Sequence, residues 1–211
     1  MTLTRKQLED TKTQFINKVR QYAGNREGIE DLLAWLETTD FYIAPASTRY
    51  HGAFQGGLLV HSYNVLVQYL DELELHNIID LNSEDEDNLS MIESATICAA
   101  FHDLCKINTY EPYIRNVKNN ETGQWEQVEA YKREPKFPMG HGEKSIFLLN
   151  QFMLLTPYEG LAIYWHMGAY DISPYKTLNE CSKAWETEPM TFLLHIADMK
   201  ATYLLESRGD E

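Results

Sequence analysis

Four histidines and two aspartates of types able to ligate a cation stand in or beside apolar helical patterns: His61, His102 with Asp103, His141, His166 and Asp198. His102-Asp103 closes the apolar run of AAFHDLCK, so a buried segment turns polar at its end, and a desolvated His-Asp pair needs a partner to offset its burial. A metal ion is one such partner. Adjacent helical residues do not share a face, yet a cation seated between their directions near a helix end is within reach of both. His61 lies inside GGLLVHSYNVL on a face with Leu58 and Val65, and His166 follows the apolar AIYW. Each alone is more often a hydrogen-bonded core histidine than a ligand. Asp198 interrupts the apolar LLHIADMKATYLL, where a carboxylate without a cation or donors is costly or stays protonated. His141 follows a Pro-Met-Gly turn and opens a helix, with its ring free to face a site or solvent. Imidazole and carboxylate donors together suit manganese, iron, cobalt or zinc better than magnesium alone.

Helical periodicity places these residues. Leu8, Phe15, Val19 and Tyr22 predict a helix over 4–22 with Thr4 as cap and Gly24 as stop, and a second follows over 28–38. A loop broken by Pro45, Gly52, Gly56 and Gly57 leads to a helix over 58–75 that carries His61. The acidic LNSEDEDNLS reads as a solvated linker, with Ser90 opening a fourth helix that ends near Lys106. The period then changes: YIRNV and WEQVEAY flank NNETG and predict a β-hairpin. Helices resume over 141–154, 157–166, 177–186 and 189–207, with Pro157 and Pro189 in first turns. The expectation is an all-α helical bundle with a small β-hairpin insertion at about 109–136, organised as one compact domain in which helices of residues 1–40 pack on a core formed by 41–211.

Composition narrows the function. A net charge of −14 argues against duplex DNA as a partner, because that binding needs Lys and Arg to neutralise phosphates. The segment 106–144 is nonetheless slightly basic, with seven Lys and Arg against six Glu, so an anionic substrate would favour it. No apolar run nears the roughly 20 residues that span a bilayer. With a polar N-terminus and three cysteines lacking C-x-x-C spacing, the expected location is the cytoplasm, with the cysteines as buried free thiols.

In their order His, His-Asp, His, His, Asp, these residues resemble the HD-superfamily metal-dependent phosphohydrolases, most closely the catalytic domain of the YhaM-type three-prime to five-prime exoribonucleases. The similar stretches are APASTRYHGAFQGGLLVHS, FHDLCKI, MGHGEKS, WHMG and LHIADMKA, spread over about 41–205. The resemblance implies an HD-domain bundle with two divalent ions. Asp103 would bridge them, with His61, His102 and Asp198 mainly on one ion and His141 and His166 on the other. It implies hydrolysis of a phosphoester in a nucleotide or short single-stranded nucleic acid by metal-activated water, which Asp103 orients. Lys106, in an H-D-x-x-K pattern, would contact a phosphoryl oxygen. Lys144, three residues after His141, is a further substrate contact, and His195 is either a neighbour of the site or simply buried. His51 and His76 read as loop and surface residues, while Tyr110, Trp125, Tyr131, Trp165 and Tyr170 are aromatics able to stack a base. The exoribonucleases carry an additional OB domain that has no counterpart here, and the hairpin is a second departure, so the reaction class is better supported than RNA as substrate. Two other readings share the ligand set: a di-iron oxygenase of the same fold, and a non-catalytic metal- or nucleotide-binding module. Oligomeric state has no sequence signature.

Overall fold

The structure, a computed structural model, describes residues 3–119 and 122–206. Thr4 and Gln7 form a reciprocal capping box, the Thr4 hydroxyl accepting the Gln7 N–H at 3.2 Å and Gln7 Oε1 accepting the Thr4 N–H at 2.9 Å. This cap starts α1 (Arg5–Ala23), which is followed by α2 (Ile29–Leu36) and α3 (Gly57–Leu75). Only glycine fits at the start of α3, since a Cβ on Gly57 would lie 1.9 Å from the Gly52 carbonyl oxygen. The helix start is thereby pressed against the preceding loop.

The next helix, α4 (Glu86–Phe101), begins earlier than the sequence suggested. Asp85, not Ser90, is its cap, accepting the Asn88 N–H at 3.1 Å, and Glu86 and Asp87 place negative charge against the helix N-terminus. Part of the supposed acidic linker is therefore helix. At its other end α4 stops at Phe101, and a 3-10 turn over Leu104–Lys106 follows. Lys106 thus lies beyond the α-helix, at the end of the 3-10 turn.

The hairpin forms as expected, β1 (Tyr110–Lys118) pairing antiparallel with β2 (Trp125–Arg133), Tyr110 opposite Arg133 and Lys118 opposite Trp125. Most of its side chains are exposed. Its foot is tied down, however: the Glu134 N–H donates to the Thr109 carbonyl at 2.8 Å and the Asn108 N–H to Asp40 Oδ1 at 2.8 Å.

The chain closes with α5 (His141–Leu149), α6 (Pro157–Trp165), α7 (Leu178–Thr187) and α8 (Pro189–Lys200). Instead of running on as α-helix, α8 passes into a π-helical turn over Ala201–Leu205; residue 207, the expected end, lies outside the described residues. The protein is mostly helical with one small antiparallel hairpin. α3 packs against α1, α4 and α8, and one apolar core joins Phe15 and Leu32 of the first two helices to Leu66, Ile97 and Leu194. No helix among the described residues is long and apolar enough to cross a membrane.

Glu159 ties three parts of this core together. Its buried carboxylate accepts from Arg26 Nη2 at 2.8 Å, from the Ser94 hydroxyl at 2.8 Å and from the Thr156 N–H at 2.7 Å. Truncation leaves the Arg26 guanidinium short of a buried partner, so Glu159→Ala should lower the unfolding free energy by about 3 kcal/mol in urea denaturation. A loss under about 1 kcal/mol would mean that this pair behaves as a surface ion pair.

Candidate metal centre

Each helix end delivers one part of the site. His102 and Asp103 sit where α4 gives way to the 3-10 turn, His141 is the first residue of α5, and His166 follows the last residue of α6. His61 comes from the first turns of α3 and Asp198 from the last turn of α8. The approach of α5 to α6 depends on Gly142, whose Cβ would stand 2.7 Å from the Tyr164 Cα. That contact brings the His141 and His166 rings to 5.2 Å between centroids.

All six residues predicted as metal ligands converge. Asp103 is at the middle: His141 Nε2 lies 2.7 Å and His166 Nε2 3.7 Å from its Oδ1. His61 Nε2 at 3.4 Å, His102 Nε2 at 3.5 Å and Lys106 Nζ at 2.5 Å lie against its Oδ2. Asp198 Oδ1 is 3.3 Å from His61 Nε2. Apart from the partly open His141, these groups are buried, and Asp103 is 1% exposed.

The tautomers follow from the outer partners. A backbone carbonyl only accepts, so His102 Nδ1 must donate to Ala99 O at 2.7 Å and His166 Nδ1 to Ile163 O at 2.6 Å. Their Nε2 lone pairs then point inward. The His166 Nε2 is a buried polar atom with no hydrogen-bond partner. His61 Nδ1 lies 3.1 Å from Glu206 Oε2, an acceptor that turns the His61 Nε2 inward as well, 3.3 Å from that of His102. Imidazole nitrogens facing one another and a carboxylate, with their outer N–H groups spent on fixed acceptors, match the donor set of a divalent transition metal.

Charge bears this out. Burial pushes the Asp103 carboxyl up, but Lys106, His102 and His141 outweigh it and hold Asp103 well below the usual range. Burial lowers His61, yet Glu206 and Asp198 reverse that and raise it to about 10. Burial likewise lowers His141, while the Cys105 sulfur and Asp103 raise it to about 9. Without a cation the cluster therefore holds protons where the ion would sit.

Above the cluster opens a cavity of about 960 Å³, floored by Lys106, His141 and Asp198. Tyr110 and Arg133, paired at the foot of the hairpin, form part of its wall, with Met199 and Tyr170 among the residues that complete it. Of the five aromatics considered for stacking, Tyr110 and Tyr170 line the cavity. Trp125 is 69% exposed at the far end of the hairpin, Trp165 is buried beside Cys181 and Ala184, and Tyr131 is not among the lining residues.

Lys144 borders the cavity but is not free to bind there. Its Nζ donates to the Cys105 carbonyl at 2.6 Å, to the Ile107 carbonyl at 3.1 Å and to the Thr109 hydroxyl at 3.1 Å, which uses all three ammonium protons. It clamps the 3-10 turn instead. His195 lies 2.7 Å from the His166 carbonyl through Nδ1 and stacks on Trp185, so it supports a ligand from outside. His76 is exposed.

Two residues of the site were not anticipated. Glu206 orients His61 and also accepts from Asn64 Nδ2 at 3.0 Å. Its signal was present: Asp198, Thr202 and Glu206 recur every fourth residue, and the Thr202 hydroxyl donates to Asp198 at 3.3 Å. His51, read as a loop residue, packs its ring 4.8 Å from that of His61 and lines the cavity. Burial lowers its pKa to about 4, so it is neutral near pH 7. It comes from an irregular loop, and no periodicity marks it.

Compared with models of known protein families, with curated proteins and with solved structures, the chain has no match in any of the three.

Two outcomes are expected of metal titrations. Glu206→Gln weakens the acceptor that fixes His61 and should reduce affinity for zinc or cobalt by about 10- to 100-fold, measured by competition with a chelating dye. Because His61 and His141 are both protonated at pH 7 in the metal-free protein, the ion must displace those protons. Affinity should therefore rise from pH 6 to 9, with on the order of two protons released at pH 7. Calorimetry in buffers of different ionisation enthalpy counts them, and a pH-independent affinity would contradict the assignment.

Proposed function

We propose that the protein is a metal-dependent phosphohydrolase that cleaves a phosphoester in a nucleotide or short single-stranded nucleic acid. The observation that carries this reading is the six-residue ligand cluster with a buried lysine beside it, set at the floor of a cavity large enough for an organic anion. His61, His102, Asp103, His141, His166 and Asp198 would hold two divalent ions. When bound, such ions supply Lewis acidity to phosphoryl oxygens and lower the pKa of water toward neutrality.

The remaining work falls to the chain. The Asp103 carboxylate, held ionised throughout the neutral range, would orient an attacking water. Lys106 stays charged: burial disfavours its ammonium, but the adjacent Asp103 raises its pKa. Its Nζ supplies a fixed donor for a phosphoryl oxygen at the cavity floor, where little water screens it. No carboxylate among the described residues pairs with Arg133, which leaves its guanidinium available for an anionic part of the substrate at the wall. Tyr110 and Tyr170 offer ring faces for a base, and the acidic remainder of the surface disfavours long duplexes.

Mass-spectrometric analysis of a pool of nucleoside mono- and triphosphates, cyclic nucleotides and a short RNA, after incubation with manganese- or cobalt-loaded protein in H2(18)O, tests the proposal. One class should be consumed, with the label in the phosphate product. Asp103→Asn should abolish turnover, and Lys106→Ala should reduce it by about 10²-fold or more in the fraction that circular dichroism shows to be folded. Oxygen uptake by the iron-loaded protein without phosphoester cleavage would favour the oxygenase reading, and a nucleotide that stabilises the protein but is recovered unchanged would favour the binding module.

A further inference from the structure

The two oxygens of Asp103 face different surroundings. Oδ2 meets His61, His102 and Lys106, all nitrogen donors. Oδ1 meets His141, His166 and a sulfur, Cys105 Sγ, at 3.9 Å. Asp103, Cys105 and His141 each present a ligand atom within 4.8 Å of the others. Cys105 is 7% exposed and lines the cavity.

An independent sign that this side is built to receive a ligand comes from His166. It is fully buried, its Nδ1–H is spent on Ile163, and its Nε2 has no hydrogen-bond partner while facing the same carboxylate oxygen. The backbone at the sulfur is also fixed. The Cys105 N–H donates to Ser145 Oγ at 3.0 Å, and its carbonyl accepts from Lys144 Nζ at 2.6 Å and Thr109 Oγ1 at 2.9 Å. Thus α5, which brings His141, also clamps the turn that aims the sulfur. The other cysteines are placed differently: the Cys98 thiol meets the Glu159 carbonyl at 3.8 Å in the main core, and Cys181 packs with Trp165 and Ala184.

We propose that Cys105 is a ligand to the cation on the Oδ1 side of Asp103, together with His141 and His166, so that the centre has one nitrogen-and-oxygen site and one containing sulfur. The inference rests on the reading of this cluster as a metal centre. A sulfur donor shifts the second site toward zinc, cobalt or ferrous iron and away from manganese and magnesium.

Cobalt(II) absorption spectroscopy on the full chain separates the two claims. Visible ligand-field bands report uptake of cobalt by the cluster whatever Cys105 does, while a near-ultraviolet sulfur-to-cobalt charge-transfer band reports the new bond. The wild type should show both, and Cys105→Ser and Cys105→Ala should keep the visible bands and lose the near-ultraviolet one. Cys98→Ser should keep both. The preference for zinc over manganese should fall about tenfold or more in the Cys105 variants. A readout that needs no variant is alkylation: cobalt should protect Cys105 from iodoacetamide, followed by peptide mass. Visible bands without a charge-transfer band in the wild type, a charge-transfer band that survives both Cys105 substitutions, or alkylation of Cys105 indifferent to cobalt would overturn the assignment. The absence of any cobalt bands would remove the metal centre itself, and the sulfur ligand with it.

Discussion

A carboxylate 1% exposed, as Asp103 is, must be answered by charge or donors from every side, and the architecture is arranged around that requirement. Lys106 and four imidazoles surround it, and each arrives from a different stretch of chain except for His102 and Lys106, which flank Asp103. Removing any one group leaves the others desolvated, which couples the parts of the site to one another and to the fold. Long-range packing of α3, α4, α5, α6 and α8 is therefore a precondition for the chemistry as well as a source of stability.

Helix ends are the means by which the donors are aimed. His102 and His166 each lie just beyond an α-helix and each donate Nδ1–H back to a carbonyl three residues earlier, which fixes ring and tautomer in one contact. The π-helical turn after α8 plays the corresponding part for His61, because it carries Glu206 back to the His61 Nδ1. Such turns are rare and concentrate where a helix must re-aim a side chain. The hairpin does not contribute to the apolar core. Its foot shapes one wall of the cavity, so that the cavity wall and the apolar core are built by different parts of the molecule.

Much of this was legible in the sequence because it depends on local pattern. His102-Asp103 and Asp198 stood out where polar groups broke apolar runs, His61, His141 and His166 joined them only through the order of the resemblance, and the hairpin stood out where the period changed. What escaped depended on tertiary contact. Nothing within a few residues of Lys144 indicates that its ammonium is consumed by the Cys105 and Ile107 carbonyls, which only the docking of α5 on the 3-10 turn brings to it. His51 comes from an irregular loop, and although Cys105 is the buried free thiol the sequence led one to expect, its approach to His141 joins residues distant in sequence. The early start of α4 was missed for a different reason: a run of acids was taken as solvated linker, although Asp85 followed by Glu86 and Asp87 suits a helix N-terminus.

Anomalous diffraction from crystals soaked in zinc or cobalt is the most direct test of the centre. The expected result is two peaks about 3.5–4 Å apart on either side of the Asp103 carboxylate, one among His61, His102 and Asp198 and the other beside His141. Peaks confined to surface carboxylates, with the Asp103 cluster unchanged and empty at saturating metal, would contradict the account.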